Sequence, residues 1–211
     1  MKTGAIILSA GHHIPQEAFQ PMMAVGGTTI IRRIIILLKQ ADVDPIVVIT
    51  GRDGDAVEKH ISKMRVICLR NAGYETTQMY DSVVMGLNYI EDLCQRILIL
   101  PVKYPLFLGD TISQLLSTAS LAACPVYQGR RGHPILISAS FIPALLSYHG
   151  PKGLRGALRQ EAIAPYVEEI PVEDQGIILS VEREEDCQMG FRRAQETPLH
   201  RVPHLYWVED E

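Results

Sequence analysis

The segment Ala5–Gly27, AIILSAGHHIPQEAFQPMMAVGG, decides how the rest of the chain is read. Ala5–Leu8 is a short apolar run. It stops at Ser9-Ala10-Gly11 and gives way to an irregular stretch holding Pro15, Pro21 and Gly26-Gly27. A helix-like segment follows. A buried first strand, a glycine-containing loop and then a helix form the usual entry to a nucleotide-binding α/β domain. Backbone N–H groups at the C-terminal edge of a parallel sheet can face a phosphate, and small residues let it approach. Ser9, Ala10 and Gly11 supply those small residues and are the first candidates for binding nucleotide.

Working outward, Thr28–Asp42 (TTIIRRIIILLKQAD) is too long for a strand. Arg32, Arg33, Lys39 and Gln40 fall on one side at helical spacing, so it reads as a helix with Thr28 or Thr29 near its N-cap. Pro45–Thr50 is a second buried strand ending at Gly51. A polar helix over Asp53–Lys63 leads to a third strand, Arg65–Leu69, ending in Arg70-Asn71-Ala72-Gly73. Thr76 or Thr77 caps a long helix running to about Cys94. Arg96–Leu100 is a fourth strand, stopped by Pro101 at the head of a rigid Pro101–Pro105 loop.

The second half predicts a helix over Asp110–Ser120 and strands over Ala122–Tyr127, Pro134–Ser138 and Tyr166–Val172. Helices are expected near Ile142–Tyr148, Leu154–Gln160 and Glu182–Gln195, with an irregular tail past Thr197. Alternating strands and helices imply a parallel sheet covered on both faces, with ligands at the C-terminal strand edges. No repeat or linker interrupts the pattern, so residues 1–211 read as one domain.

Composition narrows the function classes. Hydrophobic residues make up 47% and charged residues 21% of the 211, an ordinary globular mixture. The formal net charge of -4 argues against general binding to nucleic acid or an anionic membrane, which wants a basic face. The four cysteines, Cys68, Cys94, Cys124 and Cys187, lie far apart with no CxxC pair and read as reduced thiols of a cytoplasmic protein. No apolar run reaches transmembrane length, and Met1-Lys2-Thr3 leaves no room for a signal peptide before the first strand. No stripe specific to self-association stands out.

Six stretches taken in order resemble the MobA-like nucleotidyltransferases of molybdenum-cofactor synthesis. Leu8-Ser9-Ala10-Gly11, then Gln20-Pro21-Met22 with Gly26-Gly27, resemble the opening loop, and Val48-Ile49-Thr50-Gly51 the second strand. Asn71-Ala72-Gly73-Tyr74 with Asp81-Ser82-Val83 resembles the nucleotide-side asparagine segment and its serine-bearing helix. Pro101-Val102-Lys103-Tyr104-Pro105 sits where the family has P-x-D-x-P, Gly132-His133-Pro134-Ile135 matches G-H-P-V/I, and Gly150–Arg155 resembles G-D-x-G-x-R. The resemblance implies a Rossmann-like, three-layer α/β/α fold with a mostly parallel sheet, similar to the nucleotide-diphospho-sugar transferases. It also implies transfer of a nucleotidyl group from CTP or GTP to molybdopterin with Mg²⁺.

That likeness assigns nucleotide binding to Leu8–Gly11, Gly51, Asn71 and Ser82. The acceptor side falls to Gly132, His133, Pro134 and Arg155. The family's phosphate-binding lysine position is Gln20 and its metal-binding aspartate position is Lys103. An amide offers a hydrogen bond without a full charge, and a protonated ammonium cannot ligate Mg²⁺. Within Leu179–Asp186, where the family has a second acidic site, Glu182 is the remaining candidate ligand. Two readings follow: a transferase with impaired or lost catalysis, or a non-catalytic nucleotide- or cofactor-binding accessory protein. Lys103 could also neutralise a phosphate directly in place of the cation. The absence of G-x-G-x-x-G after the first strand speaks against a methyltransferase or reductase.

Other conspicuous residues have plainer readings. His12-His13 read as a solvated loop pair and His200 and His204 as tail residues. Tyr74 and Tyr80 read as packing residues. Arg130-Arg131 is either a solvated turn or a contact for an anionic pterin phosphate.

Overall fold

The computed structural model describes residues 1–11, 20–183, 185 and 186. In chain order, β1 (Thr3–Ser9) is followed by a small hairpin of β2 (Ala24–Val25) and β3 (Thr28–Thr29), then α1 (Ile30–Gln40), β4 (Ile46–Thr50), α2 (Gly54–Ile61), β5 (Ile67–Arg70) and α3 (Met79–Ile90). Next come β6 (Arg96–Pro101), α4 (Gly109–Ser117), β7 (Ala122–Tyr127), β8 (Arg130–Arg131), β9 (Ile135–Ser138), α5 (Ile142–Leu146), α6 (Gly153–Ala157) and β10 (Val167–Pro171).

One mixed, mostly parallel sheet runs β10-β7-β9-β6-β1-β4-β5, with β8 paired to β7. β1 sits parallel between β4 and β6, Leu8 opposite Ile49 on one side and Pro101 on the other. β9 breaks the direction, lying antiparallel to both β6 and β7, and the short β8 lies antiparallel to β7. β1 and β4 are buried along their whole length. A strand covered on both faces has no polar alternation, which is why each reads as an unbroken apolar run.

Alternate residues of these strands feed two cores. Ala5, Ile7, Val48 and Leu100 pack with Ile31, Ile34, Ile35 and Leu38 of α1, Val57 of α2 and Ile112 and Leu115 of α4. Ile6, Leu8, Ile49 and Ile99 pack on the opposite face with Val83 and Leu87 of α3, Leu145 of α5 and Leu154 of α6. The three-layer α/β/α fold is thus the direct consequence of burying both faces of one sheet.

Several local expectations are corrected. Thr29 occupies the N-cap position of α1 without capping it; its Oγ1 lies 2.9 Å from His60 Nε2 instead. α3 begins after Gln78, whose N–H donates to Asp81 Oδ2 at 2.7 Å, and ends at Ile90 rather than Cys94. Gln78, not Thr77, takes the N-cap position, and the Thr77 Oγ1 accepts from Asn71 Nδ2 at 2.9 Å. Arg33 does not lie on a solvated face. Its Nε donates to the Pro105 carbonyl at 3.0 Å and its Nη2 to that of Phe107 at 3.3 Å. The readings of His12-His13, Cys187, His200, His204, the tail, and most of Glu182–Gln195 fall outside the described residues.

Candidate functional site at the β1–β6 edge

The chain leaves β1 for β4 on one side and returns to β6 on the other. The C-terminal ends of β1 and β6 are therefore a topological switch point, where open α/β sheets bind ligands. The Val102 N–H donates to the Leu8 carbonyl at 3.0 Å, carrying the backbone pairing of β1 one step past β6, to the residue before Lys103. Gly51, directly after β4, lies against Ala10 of the Ser9–Gly11 turn. A Cβ there would stand 2.6 Å from the Ala10 carbonyl oxygen, so only glycine allows this approach. Ser9 is buried, and its Oγ has no hydrogen-bond partner among the described residues.

The loop carrying Lys103 is held from three directions. Tyr104 N–H closes a turn onto the Pro101 carbonyl at 3.1 Å. Arg33 binds the carbonyls of Pro105 and Phe107. Asp174, nearly fully buried, accepts from Leu108 N–H at 2.7 Å, Thr111 Oγ1 at 2.6 Å and Gly176 N–H at 2.9 Å. Burial lifts the Asp174 carboxyl above its usual range, although those three bonds and the charge of Arg33 oppose the rise. Burial likewise lowers the Arg33 guanidinium, against the pull of Asp174.

Lys103 is half-buried, its Nζ 5.3 Å from the centre of the Tyr104 ring. The Tyr104 ring stacks on His133 with centroids 4.8 Å apart and planes at 24°. His133 Nδ1 is shut off from water and has no partner among the described residues. Burial drives the His133 pKa down to about 4; the Lys103 charge adds to the fall and the Ile99 carbonyl opposes it. The imidazole is therefore neutral at pH 7. Gly132 lets this segment lie against Gln175–Ile178, since a Cβ would come within 2.5 Å of the Ile177 carbonyl oxygen. His133 N–H donates to that oxygen at 3.0 Å.

Leu8, Pro101, Tyr104 and His133 form one end of a cavity of about 1050 Å³ on the α3–α6 face of the sheet. Its walls carry Arg130, Arg131, Lys152, Arg155 and Arg159 against a single carboxylate, Glu169. Arg131 Nε is paired with Glu169 Oε1 at 2.6 Å; the other four have no ion-pair partner among the described residues. β7 and β8 form a tight hairpin through Gln128 and Gly129, both at positive φ, which places the two arginines at the cavity rim. Such a surface suits an anionic ligand bearing phosphate.

The other expected residues are distributed as follows. Gly132, His133 and Arg155 line the cavity, and Pro134, buried, follows them on the chain. Asn71 and Ser82 meet at 3.2 Å, but Asn71 also holds Thr77 Oγ1 and the Gly73 N–H, so it orders the loop before α3. Gln20 opens a single 3-10 turn, Gln20–Met22. Glu182 is exposed and directly follows Val181, whose N–H donates to the Lys103 carbonyl at 2.8 Å. Sequence reasoning missed Tyr104, Lys152 and Arg159 as cavity residues and Arg33 and Asp174 as the loop's support. The four-residue spacing of Arg155 and Arg159 was the available signal for a shared face.

The donors at this edge do not fit a divalent metal. Among the described residues no group of three or more His, Cys, Asp or Glu side chains is arranged to hold one. Glu182 is exposed, and Asp174 is committed to its own hydrogen bonds.

The model of the MobA-like NTP transferase domain matches residues 5–165. The chain belongs to the MobA-like NTP transferase family. Solved structures agree on the fold of this MobA-like domain. A nucleotidyl transferase from Methanothermobacter thermautotrophicus superposes with a TM-score of 0.77 at 16% identity, covering 93% of this chain and 99% of that one. The Mycobacterium tuberculosis protein Rv0371c, in complex with manganese, gives 0.71 at 18%, covering 91% and 99%. The 4-diphosphocytidyl-2C-methyl-D-erythritol synthase of Anaerococcus prevotii gives 0.72 at 13%, covering 92% and 98%. No curated protein is similar enough in sequence to count as a relative. The matched residues of this MobA-like chain include Lys103 and the cavity arginines up to Arg159; Glu182 lies beyond them. Among the described residues no helix is long and apolar enough to cross a membrane.

Proposed function

We propose that this chain is a cytoplasmic, nucleotide-binding member of the molybdenum-cofactor type. It takes CTP or GTP at the β1–β6 edge and an anionic acceptor of the molybdopterin kind in the adjoining cavity, with transfer chemistry impaired or lost. The observation that carries the reading is the cation-lined cavity opening at the switch point between Leu8 and Pro101. In this account the amides of Ser9–Gly11, Gly51 and the Asn71–Ser82 loop serve the nucleotide. Gly132, His133 and Arg155 serve the acceptor, and Pro134 fixes the chain behind them. His133, neutral and stacked on Tyr104, adds ring surface to the cavity rather than a charge.

Lys103 and Gln20 favour a second reading, a non-catalytic accessory protein that holds nucleotide or cofactor without transferring it. Nucleotidyl transfer is mostly positioning and charge neutralisation, so the loss of a metal carboxylate removes the main electrophilic help. Turnover of labelled CTP and GTP with molybdopterin separates the two. Formation of a dinucleotide product supports the transferase; binding without product supports the accessory protein. The double substitution Gln20→Lys with Lys103→Asp extends the test. Activity appearing only in that variant marks a disabled transferase.

A further inference from the structure

The misfit between the donors at the β1–β6 edge and a divalent metal leads further. Lys103 is the cation that directly follows the end of β6: it is half-buried, and among the described residues no carboxylate lies within 4 Å of its Nζ. Its backbone is pinned by Val181 and its loop by Arg33 and Asp174, so the ammonium is offered from a fixed base. The nearby imidazole of His133 is neutral at pH 7 and does not compete for an anion as a charge. Glu182, which follows Val181, is exposed, and Asp186 Oδ2 accepts from the N–H groups of Glu182 and Arg183 at 3.0 and 2.9 Å.

A triphosphate needs positive charge near its oxygens, and either a divalent ion or fixed ammonium and guanidinium groups can supply it. A fixed ammonium with no carboxylate cluster around it repels a divalent ion and attracts the more negative, metal-free form of the nucleotide. We propose that this edge binds a nucleoside triphosphate without a divalent metal, with the Lys103 ammonium neutralising phosphate charge directly. The inference rests on the nucleotide-binding reading above and adds to it which form of the ligand is taken.

Calorimetric titration of CTP and of GTP into the full chain, once with EDTA and once with Mg²⁺ in excess of nucleotide, tests it. For at least one nucleotide the affinity in EDTA is expected to equal or exceed that in Mg²⁺. Lys103→Met is expected to weaken metal-free binding by about tenfold or more, as loss of a charge-assisted hydrogen bond predicts, while Lys103→Arg keeps it within about threefold. Thermal melts of both variants show whether each is folded, and the wild-type comparison stands even if one is not. Binding seen only with Mg²⁺ overturns the inference and leaves the nucleotide reading intact. Metal-free binding that a folded Lys103→Met retains in full overturns the role of Lys103. No binding of either nucleotide under either condition overturns both readings.

Discussion

The N–H of Val181 donates to the carbonyl of Lys103 at 2.8 Å. This single bond fastens a segment almost eighty positions away in sequence to the loop at the end of β6. Arg33, at the other end of that loop, binds the carbonyls of Pro105 and Phe107, so the segment after β6 is held from both sides.

Asp174 is the buried centre of that support. Replacing it with Ala leaves the Leu108 N–H, the Thr111 hydroxyl and the Gly176 N–H without their acceptor and removes the negative charge facing Arg33. The expected loss is about 3 kcal/mol of folding stability, the cost of breaking a buried charged network from one side. Urea unfolding of Asp174→Ala against wild type measures it. Nucleotide affinity should fall as well, because the Lys103 loop loses an anchor.

His133 predicts a pH dependence. Its folded pKa of about 4 lies below the ordinary 6.5, so the unfolded chain binds more protons between those values. Stability from this residue is fully present above pH 6.5 and is lost as pH falls toward 4, by up to about 3 kcal/mol. His133→Asn should flatten that limb of the stability profile while leaving the neutral-pH plateau close to its level, as read by denaturant unfolding from pH 4 to 8.

Much of the fold was legible because its central strands are buried on both faces. β1, β4, β6 and β7 appear in the sequence as apolar runs with clear stops, and Pro101 ends β6 where expected. The β2–β3 hairpin around Gly26-Gly27 was missed because two-residue strands carry no periodicity. Arg33 looked like any polar helix residue, since nothing local says that its guanidinium reaches carbonyls more than seventy positions on. The cavity was only half legible. Gly132, His133 and Arg155 stood out by motif, whereas Lys152, Arg159 and Glu169 join the cavity only through the pairing of β10 with β7 and the packing of α6.

Gly132 should be intolerant of a side chain. Gly132→Ala would press a methyl group into the Ile177 backbone and side chain, at 2.5 and 2.7 Å from the nearest atoms. The expected cost is about 2 kcal/mol or more, from overpacking against backbone that cannot rotate away. Thermal unfolding measures it, and Gly129→Ala, where a Cβ meets nothing within 4 Å, isolates the smaller cost of positive φ alone.

The cavity arginines should act on ligand rather than on fold. Arg155 and Arg159 have no ion-pair partner among the described residues, so Arg155→Ala with Arg159→Ala is expected to change stability by less than about 1 kcal/mol. The same pair should weaken an anionic acceptor by about tenfold or more and reduce the salt dependence of its binding. Fluorescence or calorimetric titration with molybdopterin at two ionic strengths reads both effects.

A structure of the chain soaked with CTP or GTP tests the central claim most directly. Triphosphate oxygens are expected about 3 Å from the amides of the Ser9–Gly11 turn and from Lys103 Nζ, the ordinary hydrogen-bond distance. A nucleotide bound elsewhere, or bound at this turn with Lys103 turned away from every phosphate oxygen, would contradict it.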